Sequence, residues 1–159
     1  RFRKPFLKIK KKDLINIFDN NFFSIFQIIQ EFIKYLGPRN KDYCSVVNIG
    51  SIVGKIGFSE LSAYASTKSA LTGLTKSLAS EFAKNRIRIN IVNPGFIKTS
   101  YYKKFKEKQK LYKWTLSRIP FNKWGEPEDI SEFIVFLLSD KSKYFNGEDI
   151  AVDGGWLSS

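Results

Sequence analysis

The chain has no histidine, no methionine and a single cysteine, Cys44. One cysteine excludes an internal disulfide and fits a reducing compartment such as the cytoplasm. Without histidine, a lone thiol cannot build a Cys/His metal site, so no metal is expected. Cys44 opens a short apolar run and reads as a small core residue, not a nucleophile. Long hydrophobic runs are missing too. The richest stretch, residues 22–36, is broken by Ser24, Gln27, Gln30, Glu31 and Lys34, so nothing approaches the ~18 apolar residues of a membrane span. The opening R-F-R-K-P-F has no apolar signal-peptide core. Acidic residues are scarce: 15 Asp and Glu against 27 Lys and Arg give a formal net charge of +12. The lysines lie scattered in runs at 8–12, 103–113 and 141–143, and no base-reading motif accompanies them. They read as a solvated surface rather than a nucleic-acid interface.

What is present describes a globular chain. The 159 residues suffice for one domain with a core. The 43% hydrophobic and 26% charged content is ordinary for soluble proteins. Residues 13–36 carry apolar side chains at helical spacing, with Gly37-Pro38 as terminator. The apolar face is broad: Phe22, Phe23, Ile25, Phe26, Ile29 and Ile33 cover more than one stripe, which calls for burial on two sides. Residues 44–49 and 87–92 are short, valine- and isoleucine-rich runs, the pattern of strands buried on both faces. Between them residues 62–84 form a second long helix with small residues on one side. Residues 98–117 are a basic, aromatic, helical insertion. Glu126-Pro127-Glu128-Asp129 starts a helix that runs to Ser139, since proline suits the first turn and acids suit the dipole there. Residues 149–152 are a last strand. The order α-β-α-β-α-α-β predicts an α/β fold with parallel strands and right-handed crossovers.

Within this frame, residues 64–68 read Y-A-S-T-K. Residues four apart share a helix face, and by itself such a Tyr/Lys pair is most often a packed ring beside a snorkelling lysine. Ser51 stands 13 residues before Tyr64, at the end of V-V-N-I-G-S. Farther along come N-P-G-F-I-K-T at 93–99, P-F-N-K-W-G-E-P-E-D-I at 120–130 and D-I-A-V-D-G-G-W at 149–156.

In this order and spacing, the segments resemble the short-chain dehydrogenase/reductase family, from Phe6 to Trp156, with 3-oxoacyl-carrier-protein reductases the nearest likeness and sugar or polyol dehydrogenases close behind. The resemblance implies a Rossmann-like, doubly wound parallel sheet, of which residues 1–159 are the C-terminal catalytic part. The glycine-rich turn and the Asn-Asn-Ala-Gly stretch that the family places earlier do not occur here. It implies NADP or NAD as cofactor, a small carbonyl or alcohol substrate, and a homo-oligomer, tetramer or dimer, with no nucleic-acid or membrane partner. Tyr64, Lys68, Ser51 and Asn21 are the implied catalytic residues. Tyr64, Lys68, Pro94, Gly95, Ile97 and Thr99 are the implied cofactor contacts. The chemistry suits these residue types. Reducing a ketone needs a proton on oxygen as hydride reaches carbon; a nearby ammonium favours a phenol's ionised form, and a hydroxyl donor steadies charge on the carbonyl oxygen. Asn21 resembles the residue that holds a water in the proton relay. A non-catalytic relative acting as a binding subunit is the alternative, and it would have no need of all of Ser51, Tyr64 and Lys68.

Overall fold

The computed structural model describes residues 2–37 and 42–159. Three strands form one parallel sheet in the order β1-β2-β3: β1 (Cys44–Ile49), β2 (Ile87–Pro94) and β3 (Asp149–Val152). Cys44 pairs with Ile87 and Ile49 with Val92; Ile91 pairs with Asp149 and Pro94 with Val152. The helices are α1 (Lys11–Phe18), α2 (Ser24–Leu36), α3 (Ser62–Glu81), α4 (Tyr102–Lys106), α5 (Gln109–Arg118) and α6 (Pro127–Leu138). The α/β architecture and the parallel pairing are those expected from the alternating pattern.

β2 is the centre of the structure. It is buried along its whole length apart from half-buried Pro94, because helices cover both faces of the sheet. Side chains alternate across a strand. Val46, Ile87 and Ile89 therefore pack with Ala79, Leu78 and Ile33 of α3 and α2, while Val47 and Val92 pack with Ile130, Phe133 and Leu137 of α6. Polar residues follow the same alternation. Asn48 donates to Thr75 Oγ1 of α3 at 2.9 Å, and Ser45 donates to Leu137 O at the end of α6 at 2.9 Å. A third cluster, built on Phe96, Phe105, Trp124 and Trp156, seats the 96–124 segment on the sheet's C-terminal end.

The structure refines the expected elements in several places. The first long helix starts at Lys11 and is interrupted by a π-helical turn, Asp19–Phe23, between α1 and α2. Gly37 ends α2 with φ of +70°, a conformation that favours glycine; Pro38 lies outside the described residues. α3 stops at Glu81, and Arg86 in a left-handed conformation turns the chain into β2. β2 extends through Pro94, which needs no donor at that point. The basic insertion is two short helices, not one. Ile29, expected on the surplus apolar face of the first helix, is buried, and Ile28 and Tyr35 stand outward, 68% and 87% exposed. Among the described residues no helix is long and apolar enough to cross a membrane, and no cluster of metal-ligating side chains occurs.

Ile89 is fully enclosed between β2 and α3. Ile89→Ala is expected to lower unfolding free energy by about 2–5 kcal/mol and Ile89→Val by about 0.5–1.5 kcal/mol. Urea denaturation reads both, and equal losses would show that the α3 face is not a packed core.

Candidate active site

β1 delivers the chain to the site. Beyond Ile49, Gly50 N–H donates to Val92 O at 2.7 Å, so the ladder continues one residue past the strand. Ser51 is extended and 5% exposed, and it caps a 3-10 turn, Ile52–Gly54. Its Oγ accepts from Val53 N–H at 3.2 Å. The turn then presses on α3. Ser69 Oγ donates to Gly54 O at 2.7 Å, and a Cβ on Gly54 would lie 3.0 Å from Lys68 Cβ. Glycine at 54 therefore lets the serine loop approach the helix this closely.

α3 supplies the other two groups. Tyr64 and Lys68 lie one turn apart and share a face. Thr67 and Leu71 are buried beneath them and orient the helix. Lys68 Nζ sits 5.9 Å from the centroid of the Tyr64 ring and donates to Ile49 O at 2.7 Å. Ile49 is two residues from Ser51, so strand end and helix face form one corner. Burial pushes the Lys68 ammonium below the ordinary lysine value of 10.5, as desolvation disfavours the charged form.

Asn21 falls inside the π-helical turn, which packs on α3. Such turns recur at functional sites. The two asparagines there differ. Asn20 is exposed and its amide donates to Asn16 O at 2.8 Å, whereas Asn21 is half-buried.

After β2, Gly95 N–H donates to Val152 O at 3.0 Å. A Cβ on Gly95 would come 2.7 Å from Asp153 Cα, so the close approach of β2 to β3 requires glycine there. Ile97 bridges to Gly125 and lines a cavity of 420 Å³ with Thr99, Tyr101 and Trp124. A second cavity, of 450 Å³, begins at Ile52 and Val53 beside Ser51 and reaches Trp114, Arg118 and Trp156. The two share Arg3, Leu61, Phe96 and Phe105. Neither takes Ser51, Tyr64 or Lys68 into its lining; they open next to that corner. The aromatic residues of the insertion divide into two groups. Phe105 is buried beneath both cavities, and Tyr102 and Tyr112 pack with hydroxyls 3.1 Å apart, whereas Tyr101 and Trp114 remain about half exposed, each lining one cavity.

Sequence reasoning overlooked three polar residues at this end of the sheet. Asn93, Asp149 and Lys55 are linked by hydrogen bonds that begin at the Ser51 backbone. The available signal was a polar side chain at the end of a run otherwise buried on both faces, where an unpaired group is costly.

Comparison with known proteins follows this geometry. The sequence profile described as enoyl-(acyl carrier protein) reductase matches residues 1–157. The 3-oxoacyl-acyl-carrier-protein reductase FabG of Thermotoga maritima is 36% identical over 149 residues, covering 94% of this chain and 59% of that protein. Carbonyl reductase (NADPH) 2 of Sus scrofa is 37% identical, covering 98% of this chain and 64% of that protein. The solved structure of 4-hydroxyisoleucine dehydrogenase complexed with NADH superposes with a TM-score of 0.95 at 32% identity, over 100% of this chain and 65% of its own. The chain thus spans about three fifths of the length of these relatives. With the profile match running over nearly every residue, the chain belongs to the short-chain dehydrogenase/reductase family.

Proposed function

We propose that this chain carries the catalytic residues of an NAD(P)-dependent oxidoreductase that interconverts a ketone and a secondary alcohol. One observation carries the reading: Lys68 Nζ, 5.9 Å from the Tyr64 ring, bonds Ile49 O at the C-terminal end of β1, two residues before Ser51. Open α/β sheets bind ligands at that end. The matched reductases act on carbonyl compounds by name, which supports the same substrate class here.

The residues present fit a nicotinamide nucleotide. An ammonium, a phenol and the Thr99 hydroxyl are the donors that ribose hydroxyls and a carboxamide call for, and Ile97 adds an apolar wall. Lys68 and Tyr64 would hold the ribose, and Pro94, Gly95, Ile97 and Thr99 the nicotinamide end. When bound, the cofactor supplies or accepts the hydride.

Every other task falls to this chain. Ser51 donates to the substrate oxygen. Its Oγ has Val53 N–H as its partner among the described residues, so its own proton stays available. Tyr64 passes a proton to the carbonyl oxygen, or takes one from the alcohol. Lys68, whose proton is held less firmly because it is buried, recharges Tyr64, and Asn21 holds water on the solvent side of that relay. The enzyme works in a reducing cytoplasm, where the single cysteine stays reduced. A second copy covers the outward face of α2, where Ile28 and Tyr35 stand seven residues apart. Isologous pairing buries such a face twice.

The full-length protein, assayed with NADPH or NADH against a β-keto ester, a diketone and a keto sugar acid, tests the reading. Reduction of none of them would remove it. Tyr64→Phe is expected to lower kcat by about 10²–10⁴-fold with the melting curve unchanged, and near-parental turnover would take Tyr64 out of the chemistry. Lys68 makes stability depend on pH. Its folded pKa lies below 10.5, so between the two values the unfolded chain binds more protons. Stability therefore rises with pH through that window. Lys68→Met should flatten the rise in urea midpoint, and an unchanged slope would mean that Lys68 is not desolvated. Ile28→Glu should lower the oligomer mass seen by light scattering; an unaffected mass places the subunit contact elsewhere.

A further inference from the structure

A polar side chain in a sheet interior needs partners. β2 and its neighbour carry several that meet this need away from the site. Asn48 bonds Thr75, and Asn90 latches the 145–148 turn through Phe145 O and Glu148 N. Asn93 differs. It is 1% exposed, and its Oδ1 accepts from the backbone N–H of Ser51 at 3.0 Å. Its Nδ2 donates to Asp149 Oδ1 at 2.5 Å, with Ile150 O at 3.4 Å. The other carboxylate oxygen of Asp149 takes Lys55 Nζ at 2.8 Å, and that ammonium also reaches Asp149 O at 3.2 Å.

The order of these bonds has a chemical cause. A carboxylate accepts and cannot donate, so Asp149 must face the NH₂ end of the amide. That leaves Oδ1 turned toward Ser51 N–H. Lys55, in turn, holds the carboxylate in place from the serine loop's own far side. Room for the arrangement comes from Gly50, where a Cβ would lie 2.0 Å from Asn93 Oδ1. The loop after β1, the end of β2 and the first residue of β3 thus converge around one backbone amide, that of Ser51.

We propose that Asn93 is a positioning residue for Ser51. It fixes the Ser51 backbone so that the hydroxyl, with Val53 N–H on its lone pair, presents its proton to the substrate oxygen. The Asp149–Lys55 pair sets the sense of the Asn93 amide. The proposal rests on the reading of Ser51 as the donor to that oxygen.

The test uses the full-length enzyme, NADPH and whichever carbonyl of the panel above it reduces. Asn93→Asp keeps an acceptor for Ser51 but sets a second carboxylate against Asp149. It is expected to lower kcat about 10–100-fold, the scale of a small misplacement of a reacting group, with cofactor KM unchanged and faster hydrogen exchange at the Ser51 amide. Adding Asp149→Asn restores a donor and should bring kcat back to within about threefold of the parent, the coupling that a double-mutant cycle isolates. In a Ser51→Ala background Asn93→Asp should cost nothing further. An equal loss in that background, or no rescue by Asp149→Asn, overturns the positioning role. Full turnover by Ser51→Ala alone overturns the reading of Ser51 itself, a separate failure. If Asn93→Asp does not fold, Asn93→Ser, with a shorter acceptor, is taken through the same Ser51→Ala comparison.

Discussion

Parallel pairing is the constraint on which this structure depends. Because β1, β2 and β3 run the same way, their C-terminal ends emerge side by side. Ladder bonds then continue past the strands: Gly50 N–H reaches Val92 O, and Gly95 N–H reaches Val152 O. Each continuation ends beside a loop that holds candidate site residues, Ser51 in one case and Ile97 and Thr99 in the other. The two helical layers make the pairing stable by enclosing β2 on both faces. Their end-on counterpart is the aromatic cluster around Phe96 and Trp124, which lies beside the cavities and the candidate site.

Chain chemistry narrows how such a corner can work. Without histidine, no side chain here titrates near neutrality at its ordinary pKa. On the reading proposed above, proton transfer uses groups whose ordinary values lie well above neutrality, and the local surroundings bring them toward it. The burial of Lys68 acts in that direction. The excess of positive charge does not substitute for it, because the scattered lysines are solvated.

Most of the fold could be read from periodicity. Residues 44–49 and 87–92 are rich in valine and isoleucine and both are strands, although Arg88 and Asn90 give the second an apolar/polar alternation and are nonetheless buried. The Pro127 start of α6 was equally plain, since proline and the acids after it favour a first turn. Helix interruptions were less legible. The apolar spacing of residues 13–36 runs through the π-helical turn without a break, so an extra residue in a turn leaves little trace in hydrophobicity. Of the candidate site, Ser51, Tyr64 and Lys68 were nominated from spacing and family likeness, whereas the Asn93 network was not. Its bonds join residues 42 and 56 positions apart, and nothing local marks which end of a strand asparagine faces a loop. The division of the insertion's aromatics into buried and half-exposed was illegible for the same reason.

The π-helical turn at Asp19–Phe23 also makes the first long helix sensitive to length. A π turn takes one residue more than an α turn, so removing any one of these five residues lets the helix close into regular α geometry. Each residue of an α-helix advances the azimuth by about 100°. That deletion would leave α1 close to its present phase relative to α2, whereas one added residue, with the extra residue of the turn already in place, would swing α1 by about that angle. Ile17, the one buried residue of α1, would leave its seat while the polar face of Lys11 and Lys12 rotated inward. In this segment the π turn can absorb a single deletion, while a single insertion destroys the helix phase.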